Sequence, residues 1–345
     1  MMFKGIFCAV FSLLFVGMSW GQSATASKTM NRIDYANTIT SDELKELLYA
    51  FASDEMQGRM TGTKGQKKAA KFLTDFYEAQ GISGGMEDGS FYQPIPASYF
   101  KRRKEPKPSE NVLAFIPGSE NPEEVIVISA HYDHVGMDQE GNVYNGADDD
   151  GSGTVSLLEI AEAFQMAVKN GNGPKRSILF LHVTGEEIGL YGSRFYTENP
   201  VYPLANTVCN LNTDMVGRID PDKAESPNYI YLIGSDKLSQ ELHELSESVN
   251  EEYINLELDY TYNDEDDPNR FYYRSDHYNF AKHNIPIIFY FNGVHEDYHK
   301  ITDTPDKIEY DLLTKRAQLI FQTAWEVANR EGRITADKVK EEGDE

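Results

Sequence analysis

The apolar positions of this chain fall into two rhythms. From Ser41 the stretch SDELKELLYAFASDEM places Leu44, Leu47, Leu48 and Phe51 at helical spacing behind an acidic first turn, with Ser41 read as the cap. GQKKAAKFLTDFYEAQ predicts a second amphipathic helix that stops at Gly81. Residues 84–108 read as a loop that carries one basic island, KRRKEPKP. Beyond residue 111 short apolar runs alternate with helical patterns. EVIVISA, SILFLHV, NTVCNLN, YIYLIG and IPIIFYF predict buried strands, and helices are expected over 153–169, 190–198, 236–250 and 310–330. Alternation of this kind implies a central, largely parallel sheet with helices on both faces, whose reactive groups gather at the carboxyl ends of the strands.

The start of the chain follows another pattern. Lys4 precedes the apolar run GIFCAVFSLLFVGMSW and then small residues, which is the signature of a secretory signal peptide over residues 1–22, cleaved after Gly21 or as late as Ala26. The run is shorter than the ~20 apolar residues that span a bilayer, so no stable membrane insertion is expected after cleavage. Residues 23–345 are then expected to form a single exported domain, periplasmic or extracellular. Cys8 lies in the signal, which leaves Cys209 alone in an apolar strand as an inert core thiol, with no intrachain disulfide. The 32 Lys and Arg against 56 Asp and Glu give a net charge of −24. A phosphate backbone is gripped by clustered cations, so this balance excludes a nucleic-acid binder, and the basic island has no interleaved aromatics to change that.

The unusual residues sit at the predicted strand ends. After EVIVISA come His131 and Asp133, spaced as an imidazole ligand with a carboxylate behind its second nitrogen. Asp148, Asp149 and Asp150 follow in a Gly-flanked turn before a helix, and such a run of like charges calls for compensation by cations. Glu186 and Glu187 end the next strand and offer a general base beside a metal ligand. Asp214 ends the third, and the last loop brings His295, His299, Asp303 and Asp306. Imidazole and carboxylate together suit zinc. The charge of three ligating carboxylates is balanced by two divalent ions with one hydroxide, and left negative by one.

The ordered set HxDxxG, GADDDGSG, TGEEIGLYGS, NTDMVG, SDHYNF and YHxxxDTPDKI resembles the secreted di-zinc aminopeptidases, the family that also holds glutamate carboxypeptidase and glutaminyl cyclase relatives. The resemblance covers about residues 41–330. It implies a three-layer α/β/α sandwich around a mixed, mostly parallel sheet of about eight strands. It also implies hydrolysis of peptide bonds, most simply release of N-terminal residues, with two Zn²⁺ per chain and peptides as substrates. His131 and Asp214 would bind one ion, Glu187 and His299 the other, and Asp149 would bridge them. Glu186 would be the general base, Asp133 would orient His131, and Tyr298 would face the substrate carbonyl. Ser275, Asp276 and His277 would line the substrate pocket, whereas His134 is expected to be solvated or to support the ligands from behind. The acidic loop 263–268 reads as solvated. Dipeptidase or carboxypeptidase action, a glutaminyl cyclase-like acyl transfer and a non-catalytic ectodomain are the alternatives. Cyclase relatives depart from GADDDGSG, and an intact Glu186 with five ligands argues against an inert domain.

Overall fold

Alternate residues of a strand point to opposite faces, and here both faces are apolar. A computed structural model of the chain describes residues 30–101, 105 and 107–339, so the expected signal segment lies outside the described residues. The main sheet contains β1 (Ser83–Gly84), β2 (Tyr92–Ile95), β3 (Ser109–Ile116) and β4 (Asn121–His131). A small separate hairpin pairs β5 (Gly136–Met137) with β6 (Val143–Tyr144). The main sheet continues with β7 (Arg176–Val183), β8 (Thr207–Thr213), β9 (Tyr229–Ile233), β10 (Glu257–Asp259) and β11 (Ile287–Phe291). Its order is β1-β3-β7-β4-β8-β11-β9-β10, with β2 also on β3, nine strands in all.

The parallel pairings β7–β4, β4–β8 and β8–β11 make up the centre, and β9–β10 adds one more. Antiparallel pairs flank that centre, so the sheet is mixed as expected and has one strand more than the resemblance implied. The additional edge strands were hidden because they are short. Residues 84–108, expected as loop, include β2, whose Pro94 fits a sheet only at an edge.

One face of the sheet packs Ile126, Ile128, Ile178, Phe180 and Leu211 against α1 (Arg32–Ala36), α2 (Ser41–Phe51), α3 (Lys64–Gln80), α4 (Gly153–Lys169) and α8 (Tyr310–Asn329). The same cluster takes in Leu242 and Val249 of α6 (Gln240–Tyr253). The intervening residues Val125, Val127, Leu179 and Leu181 face α5 (Tyr191–Glu198) and α7 (His277–Ala281) through Tyr196 and Phe280. These are the three expected layers. The expected helices are present, α3 ends at Gly81 in the left-handed region, and the cap of α2 is Thr40, one residue before the expected Ser41. Cys209 is buried in β8, where burial pushes its thiol up to about 12.

Four adjacent parallel strands, β7, β4, β8 and β11, therefore end along one rim. Strand β4 ends on His131, and the loops trailing β7, β8 and β11 carry Glu186 and Glu187, Asp214, and His299 respectively, which is how residues up to 168 positions apart come together.

Candidate metal centre

The three consecutive aspartates do three different jobs. Asp150 turns back into the fold: one oxygen accepts the N–H groups of Gly153 and Met215 at 2.9 and 3.2 Å, and the other accepts that of His131 at 3.2 Å. Asp148 accepts the Gly217 N–H at 2.7 Å and lies 3.1 Å from His295 Nε2. The carboxylate of Asp303 accepts the N–H groups of Asp148 and Asp149. Backbone donors and one imidazole thus take up the oxygens of Asp148 and Asp150, and the buried guanidinium groups of Arg316 and Arg59 act on these charges from nearby, so the expected compensating cations are here side chains of the protein. Of the three, Asp149 is the one that turns both oxygens toward ring nitrogens, with Oδ1 3.1 Å from His131 Nε2 and Oδ2 2.9 Å from His299 Nε2. Asp150 is also near His131 and Asp214, but both its oxygens are already taken by N–H groups.

Around Asp149 the remaining groups fall into two sets. His131 Nε2 lies 3.5 Å from Asp214 Oδ1 and 4.0 Å from Glu186 Oε2. His299 Nε2 lies 2.9 Å from Glu187 Oε2, whose other oxygen is 2.7 Å from His134 Nδ1. His134 is buried in the site, which leaves, of the two expected placements, the one behind the ligands and not the solvated one. The contact expected between His131 and the Asp133 carboxylate is made instead by the Asp133 backbone carbonyl, 3.0 Å from Nδ1, with the nearest carboxylate oxygen at 3.9 Å. That carboxylate accepts the Thr61 hydroxyl at 2.7 Å and the Glu186 N–H at 3.2 Å.

Burial dominates the electrostatics. It raises the Glu186 carboxyl well above its usual range; His131 opposes the rise, and the charges of Asp214, Glu187 and Asp276 reinforce it. Burial likewise lifts Asp133 to about 6 and Asp276 to about 7. For His299 burial acts downward, but contact with Asp149 and Glu187 outweighs it and the imidazole rises to about 10. The Tyr298 phenol is pushed far up, first by burial and then by the surrounding carboxylates. Its ring stacks on His299 with centroids 3.9 Å apart.

A cavity beside these groups is lined by the polar Asp149, Glu186, Asp214, Arg274, Ser275 and Tyr298 and by the apolar Met215, Phe271, Phe289, Phe291 and Val294. Ser275 donates to Asp214 Oδ2 at 2.6 Å and accepts from Asn212 at 2.9 Å. Asp276 and His277 are buried outside that lining: Asp276 accepts from Ser193, and His277 Nε2 lies 2.8 Å from the Tyr272 carbonyl. These separate partners rule out a serine triad among the three. Asp306 is exposed. In the acidic loop, Asp264 and Asp267 bond the N–H groups of Asp266, Asn269 and Phe271, which accounts for them as turn-forming residues.

Two buried arginines escaped the sequence reading. Arg59 donates to the carbonyls of Tyr132, Asn145 and Gly146 at 2.6–2.9 Å and so joins the loop of His131 to the loop of Asp149. Arg316 donates to the carbonyls of Val216 and Arg218 just after Asp214. Arg316 could have been noticed as a cation on the apolar face of α8. For Arg59 the sequence offers no comparable signal.

Residues 111–324 match the profile of peptidase family M28. The chain belongs to this family. A probable leucine aminopeptidase of Arthroderma benhamiae is 24% identical over 319 residues, which is 89% of this chain and 82% of that relative. Among solved structures, the LapA aminopeptidase of Legionella pneumophila aligns with a TM-score of 0.67 at 20% identity, over 88% of this chain and 76% of that one. A glutaminyl cyclase of Bacteroides thetaiotaomicron aligns with a TM-score of 0.60 at 18% identity, over 83% and 98%. At these identities the solved structures speak to the fold, and one framework serves a hydrolase and a cyclase, so the reaction must be argued from the site.

This M28 chain has side chains that fit zinc. Four buried atoms, His131 Nε2, His134 Nδ1, Asp149 Oδ2 and Glu187 Oε1, converge without a hydrogen-bonding partner. Buried polar atoms are rarely left in that condition unless an ion or a water completes them, and nitrogen with carboxylate oxygen is the donor set zinc takes. No helix among the described residues is long and apolar enough to cross a membrane.

Proposed function

We propose that this M28 peptidase is an exported aminopeptidase that uses two zinc ions to release N-terminal residues from peptides. The observation that carries the reading is the opposed orientation of the two Asp149 oxygens, one toward His131 and the other toward His299. His131, Asp149 and Asp214 would hold one ion, and Asp149, Glu187 and His299 the other. When bound, the ions supply Lewis-acid polarisation of the scissile carbonyl and of the attacking water.

The chain's own groups then divide the remaining work. Glu186, half-buried and not committed to an ion, takes the water proton and delivers it to the leaving amine. Its raised affinity for a proton in this surrounding suits a group that must hold one between the two steps. Asp133 fixes the Glu186 backbone, and Ser275 fixes Asp214. Tyr298 donates its phenol to the developing oxyanion from the lining of the cavity. The apolar residues of the cavity receive the side chain of the first residue. Asp276 and His277 act on the substrate through the segment that carries Ser275. Residues 1–22 would be removed on export, leaving 23–345 as one domain.

The test compares leucine anilide with its N-acetylated form. The reading requires hydrolysis of the free amine and at least a tenfold preference over the blocked compound. Equal rates on both would exclude an aminopeptidase, and release of ammonia from an N-terminal glutaminyl peptide without anilide hydrolysis would point to the cyclase reaction.

A further inference from the structure

His134 has no assigned part in the ligand scheme above, yet its surroundings are those of a ligand. The ring is buried and neither nitrogen makes a hydrogen bond. Nδ1 is 2.7 Å from Glu187 Oε1 and 3.8 Å from Asp149 Oδ2, and both oxygens are themselves without a hydrogen-bonding partner. At 2.7 Å a nitrogen and a carboxylate oxygen that shared a proton would count as a strong hydrogen bond. Here the two atoms touch without the angle of a good hydrogen bond, which leaves both free to share an ion. His131 Nε2 shows the same pattern against Asp149: 3.1 Å from its Oδ1 and no hydrogen bond. His134 Nδ1, Asp149 and Glu187 can also present one atom each within 4.8 Å of one another.

The ring is held in this pose by packing. Gly146, in the left-handed region at φ 56°, brings its backbone against the imidazole so closely that a Cβ there would lie 2.5 Å from His134 Cγ. Arg59 clamps the Gly146 carbonyl from the other side at 2.9 Å. His299, by contrast, is partly exposed and approaches from the far loop, with its ring 5.7 Å from that of His134.

We propose that His134 is a further metal ligand, adding a second imidazole to the ion held by Asp149, Glu187 and His299. The proposal rests on the two-ion reading of the site. A neutral nitrogen adds a donor without adding charge, and a buried, wedged ring loses little freedom on binding. The second ion would then be retained by a rigid group even when the exposed His299 loop moves.

The experiment uses the full chain loaded with cobalt(II), whose visible d–d absorption reports the number and kind of ligands, together with competition for metal against graded chelator. Wild type, His134→Asn and His134→Ala are compared. We expect the variants to bind the first ion as wild type does, and to bind the second more than ~100-fold more weakly, beyond the 10–100-fold typical of a residue that only supports a ligand. The absorption of the second cobalt should change in both variants, and added imidazole should restore it in His134→Ala. A variant with wild-type absorption, or one that loses less than that range and is not rescued by imidazole, overturns the proposal and leaves the two-ion reading standing. Wild-type protein that takes up a single ion overturns both.

Discussion

The carboxylate of Asp133 accepts the backbone N–H of Glu186 at 3.2 Å, so the loop that presents a metal-facing imidazole also sets the position of the base. The second oxygen of Asp133 is held by the Thr61 hydroxyl at 2.7 Å. Asp133→Asn keeps the shape but replaces one acceptor by a donor. It should lower kcat by about 10–100-fold with KM little changed, as for other groups that orient a site from behind. An equal loss of kcat and substrate affinity, seen in steady-state kinetics, would place Asp133 on the substrate instead.

The adjacent glutamates should separate cleanly. Glu186→Gln removes the base and is expected to cost about 10²–10⁴ in kcat while metal content stays at the wild-type level. Glu187→Gln weakens a carboxylate that faces both His134 and His299, so it should release metal before it alters chemistry. Elemental analysis of the two purified variants checks the division, and identical metal content with identical residual rates contradicts it.

Arg59 should prove as sensitive as a ligand although it touches no substrate. Arg59→Met leaves the buried carbonyls of Tyr132 and Asn145 without their donor, at roughly 1–3 kcal/mol for each unsatisfied group. A lower melting temperature and weaker metal retention are both expected, because those carbonyls lie in the loops of His131 and Asp149. If only stability falls and metal affinity is intact, the clamp does not position the ligands.

Most metal-facing residues were legible in the sequence because they stand at or just beyond the end of an apolar run, and a parallel sheet brings such ends to one rim; Asp149 was legible from the Gly-flanked acidic turn ahead of a helix. His131, Asp149, Glu187, Asp214 and His299 all meet there. What the sequence concealed was how the polar groups around them are satisfied. Backbone N–H groups take up the oxygens of Asp148 and Asp150, and no residue pattern marks those bonds in advance. The spacing of His131 and Asp133 was read correctly as a contact, but the carbonyl and not the carboxylate makes it. The sequence left His134 open between a solvated ring and one behind the ligands because the fold that wedges it against Gly146 depends on a turn 12 residues later. The edge strands β1 and β2 were missed because two to four residues give no periodicity.

Stability should also depend on pH at a point away from the centre. Burial of Glu159 on α4 raises its carboxyl from 4.5 to about 8, and the charges of Glu43 and Glu162 add to the rise. Because the folded-state value is the higher one, the folded chain binds the proton more tightly. The stability this confers is complete below about pH 4.5 and is lost as pH rises toward 8. At about 1.4 kcal/mol per pKa unit the effect reaches a few kcal/mol at most. Glu159→Gln should remove this dependence, so its advantage in melting temperature over wild type should grow from pH 5 to pH 8. A constant difference across that range would show that Glu159 does not titrate there.

The central claim is that Asp149 stands between two zinc ions, and the most direct measurement is the number of zinc ions bound per chain, followed together with leucine anilide hydrolysis through chelation and stepwise re-addition. Two ions are expected in the active protein, with loss of activity on loss of metal and a lower melting temperature for the stripped chain, in which Asp149, Glu187 and Asp214 are left with the imidazoles of His131, His134 and His299 in place of the ions. Full hydrolysis by protein that elemental analysis shows to be free of metal, or full hydrolysis restored by one ion with no second site detectable, would contradict it.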